Sequence, residues 1–520
     1  MMNLLTPVTS LPARFNMAAY AIGRAAAARP DAPALLVYDD ASGSAPSEAW
    51  TFAAIEDAVL RIAGGLQATG LKPGARILIR LENTSTYALL FFGAIAGGYV
   101  PLPTSTQLTA TEARFMLEDS GAQAVALGSG AGMEMGALPG GMMVLDAATV
   151  ERMMREAPRA DYADTAADDP AFLIYTSGTT ASPKGVLHAQ RAAFGRSPMY
   201  RGWYGIGPGD RMLHAGAFNW TFTLGTGLTD PWANGATSII FTGEKDPTVW
   251  PQLIRQTGAT LFAGVPGVFR QILKYAQPTR DDLGALRHGL MAGESPPPGL
   301  FEEWEARTGR PIYEALGMSE ISTYISTGPE MVRCAGAVGQ AQPGRRIAVL
   351  PVDGGDEPLP AGEEGLLAVH RSDPGLMLGY WNRPDEEAAV MRGEWFIGGD
   401  LARIDADGYV FHHGRANDLM KALGYRVSPL EVEAAIAEHP AVAEVACAEV
   451  RVRADVSIIA AFIVRQPGAS VEASDIETFA AERLAGYKRP RSIVFIDALP
   501  RTANGKVMRK ALRHPELSTS

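Results

Sequence analysis

Two cysteines in 520 residues leave little for sulfur to do. Cys334 and Cys447 stand more than a hundred residues apart, which excludes a disulfide scaffold and any paired metal-ligand spacing. Such sparse cysteine implies a reducing, cytoplasmic setting. Basic charge is also short: 46 Lys and Arg against 57 Asp and Glu give a net charge of −11. The chain as a whole is therefore no nucleic-acid or membrane-surface binder, and an anionic ligand would need cations focused at one site. Long apolar runs are missing too. The most continuously apolar stretch, residues 87–100, is stopped by Pro101 and Pro103 and falls short of the roughly 20 residues a bilayer span needs. It is expected to form a buried core helix. The start carries Pro7, Pro12 and Arg14 where a secretory signal would have a basic head and an apolar core.

What is present is the composition of a folded chain, 47% hydrophobic and 20% charged, long enough for three to five units at roughly 100–200 residues each. The first part alternates short apolar runs with helical patterns: strands are expected at residues 75–79, 171–175, 237–241, 260–264 and 289–292, and helices at 85–98 and 247–256. This alternation predicts α/β layers, with ligands at the strand carboxyl ends. Beyond about residue 400 the texture changes to a small α+β unit, with strands at 444–450, 456–464 and 492–496 and helices at 429–438 and 473–485. Ser428, Pro429 and Glu431 predict a capping box at the start of the first of these helices.

The most informative stretch follows an apolar strand: Tyr175-Thr176-Ser177-Gly178-Thr179-Thr180-Ala181-Ser182-Pro183-Lys184-Gly185. Hydroxyls, glycines and one lysine in a loop offer backbone N–H groups, side-chain donors and a cation to a polyphosphate; a plain polar surface turn has the same composition. The P-loop spacing is absent, so a phosphate loop of another type is implied.

This loop resembles the signature of the adenylate-forming superfamily of acyl-CoA synthetases, adenylation domains and luciferases. Gly317-Met318-Ser319-Glu320 resembles the family's Tyr-Gly-x-Thr-Glu, and Gly399-Asp400 its ribose-binding Gly-Asp. Gly414-Arg415-Ala416-Asn417-Asp418 with Lys421, Gly424 and Arg426 resembles the hinge and following loop, and Pro500-Arg501-Thr502-Ala503-Asn504-Gly505-Lys506 the C-terminal lysine motif. The resemblance implies a large α/β body over residues 1–413, a hinge at 414–418 and a mobile α+β domain at 419–520. It implies a carboxylic acid–CoA ligase: acid and ATP give acyl-AMP and pyrophosphate, and CoA then displaces AMP.

Under that resemblance Thr176, Ser177, Gly178, Thr179 and Thr180 bind phosphates, Lys184 neutralises the β/γ charge, and Glu320 holds Mg²⁺. Asp400 accepts the ribose hydroxyls, Arg415 reaches ribose or phosphate, and Ser319 lies beside the nucleotide. Adenine is expected between Gly293-Glu294-Ser295 and Glu314-Ala315-Leu316-Gly317. Lys506 bridges the acyl carboxylate and the nucleotide. Rotation at the hinge replaces it with the loop from Lys421 to Val427, where Gly424 leaves room for pantetheine and Arg426 can meet CoA. Asn417 stands where the hinge aspartate is usual, keeping hydrogen-bonding ability without the charge.

The acid pocket is expected around His214, Asn219, Trp220, Gly264, Val265 and Ile321. Phe218-Asn219-Trp220-Thr221 lacks the carboxylate that would pair an amino acid's ammonium, so amino acids are disfavoured. Aliphatic and aryl acids such as benzoate remain rivals. The histidine usual in this segment is also absent, leaving His214 or water to help deprotonate the thiol. Trp220 fits either the pocket or the core. Two other functions stand beside the CoA ligase: an adenylation enzyme loading a separate carrier protein, and a nucleotide-binding relative without catalysis. A homodimer is compatible with the resemblance.

Overall fold

The computed structural model describes residues 9–43, 45–128, 138–176, 183–418, 420–422, 425–453, 456–501 and 507–512, with backbone only at 417, 421–422, 425–426, 452–453, 456 and 510. A four-stranded parallel sheet in the order Val100–Pro103, Arg76–Arg80, Ala124–Leu127, Met143–Asp146 forms from residues 76–146. Against it packs the helix Ser85–Ala96, every residue of which is buried. Its apolar surface is apolar all round because it lies inside the protein. Among the described residues no helix is long and apolar enough to cross a membrane.

The largest sheet changes character at one turn. The strands Pro33–Tyr38, Thr237–Phe241, Arg211–His214, Leu261–Gly264, His288–Ala292 and Ile312–Met318 lie side by side in that order and run parallel. Their carboxyl ends therefore share one edge. The next strand, Ser322–Ser326, is antiparallel to Ile312–Met318, and the sheet continues antiparallel through Gly339–Ala341, Tyr409–Arg415, Trp395–Ile404 and Glu364–His370. Ser319, Glu320 and Ile321 form the turn where the direction reverses. A Cβ on Gly317 would lie 2.3 Å from the Ser322 carbonyl oxygen, so glycine permits this tight return.

Toward the carboxyl terminus Val442–Arg453 and Val456–Arg465 pair antiparallel, with Ser492–Phe495 parallel beside the second. The helices Pro429–Ala437 and Ala473–Arg483 cover this sheet, burying Val432, Ile436, Cys447, Ile459, Ile476 and Ala480 together. The expected capping box is not formed. Ser428 does sit at the N-cap, but its Oγ donates to the His413 carbonyl, and Glu431 pairs instead with the Lys488 ammonium. A nearby cation and a free carbonyl outcompete the local motif, and Ser428 thereby ties this helix to the Tyr409–Arg415 strand.

Candidate active site

The phosphate-loop candidate is the connection of a hairpin. Strand Pro170–Thr176 pairs with Lys184–Ala189, setting Thr176 opposite Lys184, and Gly379–Tyr380 adds to the far side of the second strand. Ser177, Gly178, Thr179 and Thr180 lie outside the described residues. Lys184 extends over the Tyr380 ring, 5.4 Å from its centroid, and pairs with the Glu386 carboxylate. Tyr380 in turn donates from its hydroxyl to Glu320 Oε1 at 2.7 Å. Glu320 is held by its backbone as well, its carbonyl accepting from the Met377 N–H at 2.7 Å. One tyrosine thus links the candidate phosphate cation to the candidate metal-binding carboxylate.

A second charged cluster occupies the antiparallel half of the sheet. Asp400 and Arg415 are register partners on Trp395–Ile404 and Tyr409–Arg415. Asp400 is 4% exposed, and its Oδ1 lies 3.1 Å from both His412 Nε2 and Arg415 Nε. Gly399 supplies a φ of 84° immediately before it, a conformation suited to glycine. Tyr324, on the strand after Glu320, is fully buried, with no hydrogen-bond partner for its hydroxyl among the described residues. Burial first, and then the charge of Asp400, raises its pKa, so the hydroxyl keeps its proton and remains a donor beside Asp400, Arg415 and Glu320. Tyr324 is not among the residues singled out in the sequence; its only signal is its place four residues beyond Glu320.

The two candidate adenine segments lie side by side on adjacent strands. Met291 pairs with Glu314 and Ala292 with Ala315, while Gly293, at φ 102°, starts the loop that carries Glu294 and Ser295. Leu316 and Gly317 face Ser322–Ser326 on the other side. A Cβ on Gly293 would touch Val265, so this loop borders the strand that carries Gly264. Burial pushes the Glu314 carboxyl up to about 7, with Arg333 opposing the shift.

The acid-pocket candidates divide. His214 ends its strand beside Ala263, next to Gly264 and Val265. Ile321 instead is buried in the interior with Leu367 and Val369, and borders a separate cavity lined by His188, Arg196, Thr221 and Ser322. Trp220 is 41% exposed, which removes it from the core, and Asn219 is half-buried beside it. His214 is unsuited to the role of thiol base. Its Nδ1 accepts from the Gly216 N–H at 2.9 Å, and burial, with Lys245 nearby, pushes its pKa down to about 3. The neutral ring therefore carries its hydrogen on Nε2 and is a donor.

Other contacts have no local signal in the sequence. Arg196 makes a bidentate pair with Asp230, Nε–Oδ1 2.8 Å and Nη2–Oδ2 2.6 Å, and the Tyr204 hydroxyl donates to the same carboxylate at 2.8 Å. His188 stacks on Phe172, and its Nε2 lies 2.8 Å from the Ser319 carbonyl, supporting the Glu320 turn from below. At the carboxyl end, Asn417 lies in the short turn Ala416–Asp418, and Lys421 and Arg426 are register partners in the hairpin of Met420–Ala422 and Tyr425–Val427. Gly424 and Lys506 lie outside the described residues. Arg501 and Arg270 both pair with Glu444, linking the lysine-motif segment, the carboxyl-terminal sheet and the body.

A family model of AMP-binding enzymes matches residues 22–381, and one of the AMP-binding enzyme C-terminal domain matches residues 431–506. The chain belongs to this family of adenylate-forming enzymes. Within it, the chain is an AMP-forming acid–thiol ligase of the acyl-CoA synthetase kind. It is 32% identical to a benzoate–CoA ligase of Thauera aromatica over 98% of this chain and 97% of the relative. A 3-hydroxybenzoate–CoA ligase of Aromatoleum sp. (strain CIB) is 28% identical, covering 89% of this chain and 91% of its own. Among solved structures, a benzoate CoA ligase from Burkholderia xenovorans LB400 superposes with a TM-score of 0.85 at 29% identity, over 96% of this chain and 100% of that one. An anthranilate CoA ligase in complex with anthranoyl-AMP gives a TM-score of 0.86 at 26% identity, over 96% and 97%.

Proposed function

We propose that this ligase activates an aryl acid, benzoate or a ring-substituted benzoate, as its acyl-AMP, and that CoA then displaces AMP to give the aryl-CoA thioester. The observation that carries the reading is the lack of a carboxylate at the acid end among the described residues, where Asn219 and a neutral His214 stand and an ammonium would find no partner. The relatives named for benzoate and 3-hydroxybenzoate favour an aryl over an aliphatic acid.

In the first half-reaction a carboxylate oxygen attacks the α-phosphorus of ATP, and the bond to the β-phosphate breaks. Asp400, oriented by Arg415 and His412, accepts the ribose hydroxyls. Lys184 leaves Glu386 for the departing phosphates, which the loop of Thr176 to Thr180 cradles. Glu320 suits Mg²⁺ that arrives with the nucleotide: it is a hard oxygen ligand, and phosphates and waters complete the shell of an ion that keeps much of its hydration. When bound, Mg²⁺ offsets phosphate charge. Lys506 bridges acid and nucleotide; rotation about residues 414–418 then exchanges it for the loop with Gly424, and Arg426 meets CoA.

The test is acid-dependent release of AMP and pyrophosphate with CoA, over benzoate, hydroxybenzoates and aliphatic acids. Benzoate-type acids should give the highest kcat/KM. Higher values for aliphatic acids would overturn the aryl reading, and no AMP from any acid would overturn the ligase chemistry with it.

A further inference from the structure

Beside the candidate acid site lies a small cavity of about 10 Å³, room for about one water, lined by Asn83, His214, Gly216, Phe218 and Lys245 among others. Its polar groups are unevenly served. The Asn83 amide is used at both ends, Nδ2 donating to the Gly216 carbonyl at 3.2 Å and Oδ1 accepting from the Phe218 N–H at 3.1 Å. His214 accepts on Nδ1 from Gly216, so the hydrogen is on Nε2, and that atom is buried with no partner among the described residues. Lys245 lines the same cavity from its solvent-facing rim, close enough for its charge to oppose protonation of His214. The cavity thus presents an N–H and an ammonium, and its amide acceptor is already occupied.

Position on the sheet gives this imbalance a meaning. Along the shared carboxyl edge, the ends of Ile312–Met318 and His288–Ala292 carry the nucleotide candidates, Leu261–Gly264 comes next, then His214, then Thr237–Phe241 leading to Lys245. Neighbouring strands are about 4.8 Å apart, so His214 lies two steps, about 10 Å, from the Gly293 strand. That is close to the length of a single-ring acid with one substituent. An acid whose carboxylate faces the nucleotide would direct its far end toward the cavity.

We propose that this cavity is a subsite for an oxygen-bearing substituent of the acid, hydroxyl or second carboxylate, which accepts from His214 Nε2–H and the Lys245 ammonium. The inference rests on the aryl-acid ligase reading and adds the class of ring that the site selects. Asn83 is the positioning residue, since its two hydrogen bonds fix the loop that carries Phe218 to Trp220.

The experiment compares benzoate, methylbenzoates, hydroxybenzoates and benzenedicarboxylates as substrates of the full chain, and of Lys245→Met and Lys245→Arg. In the wild type, at least one oxygen-substituted acid should exceed its methyl counterpart tenfold in kcat/KM. That ratio should fall about tenfold in Lys245→Met and recover in Lys245→Arg. Preference among hydroxyl and carboxylate substituents identifies which oxygen group the subsite takes. An unchanged ratio in Lys245→Met, or preference for methyl over oxygen, overturns the subsite while AMP release still supports the ligase. If no acid yields AMP, calorimetric titration of the same acids into wild type and Lys245→Met reads the subsite directly. Equal affinities for the oxygen-substituted acids would then overturn it.

Discussion

At the nucleotide end of the cleft, Asp400 is almost completely buried and already takes contacts from His412 and Arg415. At the acid end, His214 is buried to a similar degree, yet its Nε2 has no partner among the described residues. The first arrangement is preorganised: the carboxylate that would hold ribose is fixed before a ligand arrives, so little ordering is left to binding. The second is incomplete until something fills it. Such a division suits an enzyme whose nucleotide is constant and whose acid is the variable that must be selected, because an unmet buried donor penalises ligands that fail to satisfy it.

The strongest way to break this comparison is to remove the cation that the proposed mechanism places between the two ends. Lys506→Ala should lower acyl-AMP formation by roughly a thousandfold or more, the scale of losing a charge that acts in the transition state. Thioester formation from supplied acyl-AMP should persist largely intact. Equal loss in both half-reactions would remove Lys506 from the first step. Next in size is Asp400→Ala. It deletes the proposed ribose anchor and leaves Arg415 without its buried partner; with the Arg415 side chain 40% exposed, the loss lies at or below the lower end of the about 3–5 kcal/mol that breaking a fully buried pair costs. The expected result is at least a hundredfold fall in kcat/KM for ATP, with KM for the acid altered far less. A parallel rise in both KM values would mean that Asp400 supports the whole cleft and not one end.

The same contrast decides how much the sequence reveals. The candidate nucleotide end is written in short motifs, because its proposed phosphate and ribose residues sit on loops and strand ends close together in the chain: Thr176 with Lys184, Gly399 with Asp400, Gly317 with Glu320. The strand pattern was legible for a similar reason, since buried parallel strands such as Thr237–Phe241 are continuous apolar runs. The acid end is assembled from residues far apart, Asn83, His214 and Lys245, whose proximity depends on strand order. Its candidates accordingly fall at two places, His214 at one cavity and Ile321 at another beside Thr221. The capping box at Ser428 failed on the same ground, because Lys488 and the His413 carbonyl are distant in sequence and near in space. Arg196 with Asp230, and Tyr324 beneath Glu320, are likewise products of packing.

A smaller effect sharpens the account of the nucleotide end. Lys184 is paired with Glu386 and faces Tyr380, so phosphate must compete with a carboxylate for this ammonium. Glu386→Gln keeps the shape and removes the competing charge. Partly exposed ion pairs are worth about 0–1 kcal/mol, so KM for ATP should fall by roughly two- to fivefold with kcat little changed. A rise in KM would show instead that Glu386 holds Lys184 in its working position.

The smallest expected effect concerns Glu314, on the strand Ile312–Met318 that carries one candidate adenine segment. Burial holds its carboxyl at about 7, above the ordinary glutamate value of 4.5, and Arg333 only partly offsets this. The folded chain therefore binds a proton there that the unfolded chain has released between about 4.5 and 7. Stability from this group is fully present below about 4.5 and is lost as pH rises through about 7. Glu314→Gln, which mimics the protonated form, should flatten that decline. One pKa unit is about 1.4 kcal/mol, and at about 2.1 cal/mol/K of unfolding entropy per residue 1 kcal/mol moves Tm by only about 1 °C in a chain of 520 residues, so the variant should gain a few degrees over wild type at pH 8 and nothing at pH 4.5. The measurement is the difference in Tm between the two proteins across that range. A constant difference would mean that Glu314 is ionised throughout, with Arg333 as its effective partner, and the candidate adenine segment would then carry a fixed charge as Asp400 does.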